Sequence, residues 1–397
     1  MKNILSYRSK NISFSQTIAM SSKARLLKNR GYNIINLSLG EPDFSPPEFI
    51  LNSAKKAIDN GFHHYTPVSG YTDLKETICD KFYRDNQLKY KPSQIVVSTG
   101  AKQSIINVLL SLLNKNDEVI IPSPYWGSYL QMVKFCESNP VIIPTNMNNN
   151  FKINPDKLEK YISDKTKLFI FNNPCNPTGS IYSYEELKKL IDVLKKYPKI
   201  IILSDEIYEH IYYSKVHPTS IAIFPDIYKQ VVTLNGLSKA FSMTGWRIGY
   251  IGAPEWIAQS CDKIQGQMTS CANSIAQRAA ITALKSSPKK IQYLVKSFKK
   301  RRDLILDKIN EIKGFQFNKP DGAFYIFPKI SNFFGKQING ISIKNSDQFS
   351  EFLLEKAHVA TVSGSAFGKD GYLRISYASS EKNIIEAFER LKILLHN

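Results

Sequence analysis

Short runs of apolar residues alternate along the chain with longer stretches in which apolar positions recur every three or four residues. The middle of the chain shows this most plainly. "KLFIF" (167–171) predicts a strand buried on both faces, "SYEELKKLIDVLKKY" (183–197) a helix, and "KIIIL" (199–203) the next strand. Ser183 and Glu186 stand three residues apart at the start of that helix, where each side chain can accept from the other's backbone N–H. Apolar runs at 94–99, 118–122, 230–235 and 247–252 predict further strands. Strands separated by amphipathic helices build a mostly parallel sheet covered by helices, so the fold class is α/β.

Beyond residue 285 the pattern changes. Residues 289–312 predict a long basic helix, "GAFYIFP" (322–328) and "GYLRISYA" (371–378) short strands, and 383–395 a closing helix. This reads as a smaller α/β domain, residues 286–397, joined by an N-terminal segment, 1–45, with a large domain, 46–285, between them. A chain of 397 residues exceeds one ordinary core, which favours such a division.

Composition narrows the function classes. With 43% hydrophobic and 12% aromatic residues the chain can bury a sizeable core, which excludes a disordered protein. Its formal charge of +19, from 53 Lys and Arg against 34 Asp and Glu, invites a nucleic-acid or anionic-membrane partner. The lysines are scattered through amphipathic helices, however, and no basic aromatic module or zinc spacing accompanies them. We expect no nucleic acid and no membrane, only anionic small molecules. Cys79, Cys136, Cys175, Cys261 and Cys271 are odd in number, far apart and without a CxxC pair, so neither a disulfide framework nor a metal site is expected. A reducing cytoplasm fits that usage. The N-terminus is polar where a signal peptide is apolar, and no run of about 18 apolar residues exists, so a cytoplasmic location is expected.

Functional residues of an open parallel sheet gather at the carboxyl ends of its strands. After 94–99 come Gly100, Ala101 and Lys102, opening an apolar helix whose first N–H groups can face a phosphate. After "KLFIF", the turn "NNPCNPTG" (172–179) brings the Asn176 amide to the same edge, although such a turn also simply ends a strand. Asp205 follows "KIIILS"; an acid there is costly unless paired, for instance with a protonated ring nitrogen, and its ordinary alternative is a helix cap. After 230–235, "GLSKAFSMTGWRIGY" sets Lys239 among small and aromatic residues. Most lysines of so basic a chain are solvated charges. A desolvated lysine beside another cation, here Arg247, has a depressed pKa and becomes a nucleophile toward carbonyls.

Five blocks, "LSLGEPDF" (37–44), "NNPCNPTG", "SDEIYEH" (204–210), "SKAFSMTGWRIGY" (238–250) and "YLRISYA" (372–378), complete the picture. In order and approximate spacing they resemble the class I aminotransferases of the pyridoxal-phosphate fold type I superfamily, over nearly the whole chain. The resemblance implies a large domain with a seven-stranded, mostly parallel sheet between helices. It implies pyridoxal 5'-phosphate as cofactor, carried by Lys239 as a Schiff base, with Lys239 also moving the substrate proton. Asp205 would keep the pyridine nitrogen protonated, Tyr208 and Asn176 would hydrogen-bond the phenolic oxygen, and Trp126 would stack on the ring. The phosphate would be held by Arg247, Ser238, the backbone of Gly100, Ala101 and Lys102, and Tyr65 from a neighbouring subunit, which makes a homodimer with shared sites. Arg374 would bind the substrate α-carboxylate, with Gly40 closing on it. Position 236 departs from many relatives, being Gly where a Ser often joins the phosphate cup.

Within the family the resemblance is greatest to the bacterial aspartate aminotransferase group, some members of which act on prephenate. Lys102, Ser15 and Thr17 match positions that this group uses to hold an acidic side chain. The expected reaction is a ping-pong transfer from L-aspartate to 2-oxoglutarate, giving oxaloacetate and L-glutamate. The alternatives are a prephenate or aromatic aminotransferase and a cysteine-conjugate β-lyase, which would not need Lys102. A DNA-binding regulator fused to such a domain is disfavoured, because the roughly 40 residues before "LSLGEPDF" hold no winged-helix pattern.

Overall fold

The computed structural model describes residues 4–396. Its centre is a seven-stranded sheet of β1 (Ile95–Thr99), β2 (Glu118–Ser123), β3 (Asn139–Pro144), β4 (Thr166–Asn172), β5 (Ile201–Asp205), β6 (Val231–Gly236) and β7 (Ile248–Gly252), in the spatial order β1-β7-β6-β5-β4-β2-β3. All neighbours are parallel except β7, which runs antiparallel to both β1 and β6. Alternate residues serve opposite faces. Val97, Ile120, Phe169 and Ile202 pack into one core with Leu74, Ile78 and Phe82, while Val96, Ile121, Leu168 and Leu203 pack into the other with Ile105, Val108 and Ile257. Each such side chain, fully buried, contributes about 1.5–3 kcal/mol, so both faces of the central strands are fixed by burial.

Two differences from the sequence reading matter. The strand expected at 199–203 lies at Ile201–Asp205, which makes Asp205 its last residue and places the carboxyl group on the sheet edge itself. β3 was not predicted: it is an edge strand, pairs only with β2, carries Pro140 and Pro144, and is half-exposed along most of its length, so it lacks the continuous apolar run of its neighbours. The helix predicted at 183–197 forms as Tyr184–Leu194, with the reciprocal Ser183–Glu186 cap in place.

The C-terminal part places Leu373–Ser376 between Val362–Ser363 and Tyr325–Ile326 in an antiparallel sheet. The helices Gln292–Asn310, Ser346–Lys356 and Glu381–His396 belong to the same part of the chain. The N-terminal segment joins it directly, Ile35–Asn36 pairing in parallel with Val359–Ala360 and the Leu37 carbonyl accepting from the Ser376 N–H at 2.9 Å. No described helix is long and apolar enough to cross a membrane, and all five cysteines are unpaired.

Candidate active site

The carboxyl ends of β4, β5 and β6 and the helix that follows β1 open on one cavity of about 240 Å³. Ser15, Thr17, Gly40, Ala101, Lys102, Trp126, Asn176, Asp205, Tyr208, Ser238, Lys239, Arg247 and Arg374 all line it. Gly100 stands directly behind, at φ +80°, where a Cβ would overlap the Arg247 guanidinium. Tyr65 is elsewhere; its side chain is 91% exposed and does not line this chain's cavity.

Lys239 follows β6 and is partly buried, its Nζ donating to the Gly40 carbonyl at 2.5 Å. Burial, and then the Arg374 and Arg247 cations, pull its amine down to about 8 against the opposing pull of Glu41 and Asp205. Asp205 is 4% exposed and accepts from the Tyr129 hydroxyl at 2.5 Å and the Ile207 N–H at 3.2 Å. Burial pushes this carboxyl above its ordinary value, while those hydrogen bonds and the Lys239 charge act in the opposite direction.

Arg374 is 2% exposed, yet among the described residues no carboxylate lies within salt-bridge distance of it. It donates to the Ser38 carbonyl at 2.6 Å and to Asn176 Oδ1 at 3.1 Å, and its Nε has no acceptor. A buried cation so incompletely paired is costly unless an anion completes it. Asn176 is itself held by its N–H, which donates to Asn172 Oδ1 at 2.8 Å. A depressed lysine, a buried acid and an unmatched arginine in one cavity form a site for an anionic substrate with a reacting centre between them.

Known proteins resemble the chain in sequence and in fold. The family described as "Aminotransferase class I and II" matches residues 32–391. The chain is 45% identical to an aspartate/prephenate aminotransferase of Nitrosomonas europaea, over 98% of this chain and 99% of that protein. It is 42% identical to a bifunctional aspartate aminotransferase and glutamate/aspartate-prephenate aminotransferase of Petunia hybrida, over 98% of this chain and 82% of the relative. The crystal structure of the aspartate aminotransferase from Rhizobium meliloti superposes with a TM-score of 0.96 at 39% identity, covering 99% and 98% of the two chains.

The chain is a class I and II aminotransferase. Its architecture is accordingly the fold type I arrangement. Several residues in or beside this aminotransferase's cavity escaped the sequence reading. Tyr129 opens the helix Ser128–Phe135 in an apolar amphipathic pattern that reads as core, and its contact with Asp205 spans 76 residues. Tyr325, on the strand Tyr325–Ile326, also lines the cavity, its hydroxyl 2.8 Å from that of Tyr208. Glu41, inside "LSLGEPDF", accepts from the Thr244 hydroxyl at 2.6 Å and so ties the N-terminal segment to the loop carrying Lys239.

The remaining positions find local explanations. Ser15 caps the helix Gln16–Asn29, accepting from the Ile18 N–H at 3.4 Å, and Thr17 lies in its first turn. Lys102 sets its ammonium 4.9 Å over the Trp126 ring. Gly236 pairs with Gly249, and a Cβ there would approach the Ile248 carbonyl oxygen at 2.9 Å and the Ile207 side chain at 3.1 Å. Packing therefore accounts for the missing serine. The turn carrying Asp205 and Tyr208 is anchored by buried Glu209, which pairs with buried Lys81 and accepts from the Asn86 amide at 2.9 Å.

Proposed function

We propose that this aminotransferase binds pyridoxal 5'-phosphate in the cavity and moves the amino group of L-aspartate to 2-oxoglutarate, giving oxaloacetate and L-glutamate in two half-reactions. One observation carries the reading: Arg374, a buried cation with no carboxylate partner among the described residues, shares a cavity with Lys239, an amine held near pH 8, and with buried Asp205.

The donor set fits the cofactor. Because position 100 has no Cβ, the Arg247 guanidinium can lie over the first turn of the helix Ala101–Leu112, whose first N–H groups have no intrahelical acceptor. Those N–H groups at Ala101 and Lys102, with Ser238 and Arg247, would hold the phosphate. Bound there, pyridoxal phosphate supplies an electron-accepting ring and carries the nitrogen between the two half-reactions. Asp205 would hold a proton on the ring nitrogen, Tyr208 and Asn176 would donate to the phenolic oxygen, and Trp126 would stack against the ring. Lys239 Nζ would be the attachment point and the base that takes the proton from the substrate α-carbon.

Arg374 grips the α-carboxylate with Asn176 beside it, and Gly40 closes the segment above. Lys102, Ser15 and Thr17 receive the second carboxylate of aspartate. Tyr65, exposed on this chain, belongs to the site of a second copy, so the working unit is a homodimer; residues 46–285 form its large domain, and 1–45 with 286–397 its small one. The unpaired cysteines suit a cytoplasmic enzyme.

Prephenate is the second reading. A cavity of about 650 Å³ adjoins the first, sharing Lys102, Trp126 and Ser128, and is lined by Ile12, Ile106, Leu130 and Met268, so a bulky side chain has somewhere to go. Adding amino acids singly to the reconstituted protein, and following the absorbance change of the cofactor, tests the donor; prephenate, itself a 2-oxo acid, is tested by adding it to the amine form and following the reverse change. Aspartate and glutamate should each convert the spectrum. Conversion by aromatic or sulfur-containing amino acids alone would overturn the aspartate assignment.

A further inference from the structure

Tyr325 stands where three parts of the chain meet. Its strand pairs with the strand carrying Arg374, through the Ser376–Tyr325 register. Its ring face lies 4.4 Å from the Arg374 guanidinium, and its hydroxyl 2.8 Å from that of Tyr208 on the loop after β5. A Cβ on Gly40 would overlap that hydroxyl, so the N-terminal segment packs directly on it. The side chain is 1% exposed.

Two consequences follow from this position. Arg374 has only two hydrogen-bond acceptors among the described residues, and the faces of Tyr325 and Phe367, at 4.4 and 4.9 Å, supply much of what holds the buried cation in place. The hydroxyl pair has a direction as well. A phenol carries one proton, so a single hydrogen bond between two phenols leaves one proton for another acceptor. Both side chains line the cavity, but Gly40 packs directly on Tyr325 Oη, which has no second partner among the described residues, and this leaves Tyr208 Oη as the one of the pair to face a bound ligand. The arrangement that strands no proton has Tyr325 donating to Tyr208 and Tyr208 donating into the cavity. An oxygen that accepts a hydrogen bond also becomes the better donor.

We infer that Tyr325 is a positioning residue that carries Arg374 on its ring face and, by donating to Tyr208, aims the Tyr208 proton at the cofactor's phenolic oxygen. One side chain thereby holds both the substrate-carboxylate grip and a cofactor contact. This rests on the reading of the cavity given under Proposed function.

The two roles separate by substitution. Tyr325→Phe keeps the ring and removes the hydroxyl; Tyr325→Leu removes both. Two quantities are measured on each holoprotein: the pH midpoint of the bound cofactor's absorbance change, and the dissociation constant of maleate, a dicarboxylate that cannot react. A poorer donor at Tyr208 stabilises the phenolate less, so Tyr325→Phe should raise the midpoint by about half a unit or more while maleate binding stays within about threefold. Tyr325→Leu should show the same shift and bind maleate about tenfold or more weakly. An unmoved midpoint in Tyr325→Phe, or equal loss of maleate binding in both variants, overturns the inference even if the cofactor binds normally. Failure of the unsubstituted chain to take up pyridoxal phosphate would overturn the reading beneath it as well.

Discussion

The Tyr129 hydroxyl donates to the Asp205 carboxylate at 2.5 Å, bringing together the helix after β2 and the last residue of β5. Besides the Ile207 N–H it is the only hydrogen bond that the described residues make to the Asp205 carboxylate, and it counters the burial that pushes this acid upward.

Tyr129→Phe should therefore weaken cofactor binding, because in the proposed role Asp205 must be ionised to pair with a protonated ring nitrogen. A charge-assisted hydrogen bond contributes about 1.5–3 kcal/mol, so the dissociation constant should rise by about tenfold or more. Without that bond the Asp205 pKa climbs further, and the penalty should grow as the pH falls. Fluorescence titration of the apoprotein with pyridoxal phosphate between pH 6 and pH 8 measures both; a constant that matches the unsubstituted protein throughout would remove Tyr129 from the account.

Lys239 makes a prediction about its own reactivity. Only the unprotonated amine attacks a carbonyl, so the apoprotein's reaction with an aldehyde should rise with pH and reach half its maximum near pH 8, where the amine is held, instead of near the ordinary lysine value of 10.5. Borohydride should fix the cofactor to this residue alone, as peptide mapping would reveal. Lys239→Ala should still bind cofactor but lose the half-reaction by about 10⁴-fold; appreciable turnover in that variant would require a different base.

Arg374 sets function against stability. Replacing an incompletely paired buried guanidinium with an apolar side chain of similar length removes a desolvation cost, so Arg374→Met should leave the apoprotein as stable as before or more stable by about 1–2 kcal/mol in urea denaturation. If Arg374 grips the substrate carboxylate as proposed, the same change deletes a charge-assisted pair worth about 3 kcal/mol, and kcat/KM should fall by about 100-fold or more. A large drop in stability would show that Arg374 is held chiefly for the fold.

The Lys81–Glu209 pair behaves in the opposite way. Burial alone would raise Glu209, but Lys81, His210 and the hydrogen bonds from Lys81 and Asn86 bring it to about 2, below its ordinary 4.5. A carboxylate lowered on folding adds stability above its ordinary value and loses it as the pH falls toward its folded value, so this contribution should vanish between pH 4.5 and about pH 2. Lys81→Met leaves the buried carboxylate without its ammonium and should cost about 3–5 kcal/mol at neutral pH, much of it recovered by adding Glu209→Gln. Chemical denaturation of the two variants, singly and together, measures the coupling.

The strands were legible in the sequence because a strand buried on both faces writes itself as a continuous apolar run: Lys167–Phe171 and 230–235 needed no partner to be read. Asp205, Asn176 and Lys239 were legible for a related reason, since a polar residue directly after such a run lies at the sheet edge wherever the strand sits. β3 escaped because an edge strand with two prolines is held by one neighbour and not by its own pattern. Tyr129 and Tyr325 escaped because a tyrosine in an apolar segment looks the same whether its hydroxyl meets a buried polar group or nothing.

Local order along the chain therefore determined the buried strands, their polar ends and the chemistry those ends offer. Which side chains complete that chemistry was decided by folding. Arg374 meets Asn176 across 198 residues and Ser38 across 336, and Tyr325 meets Tyr208 across 117. Hydrophobic periodicity reports on a few neighbouring residues, whereas the pairing of buried polar groups depends on how whole layers dock, and that is fixed only when both faces of the sheet are covered at once.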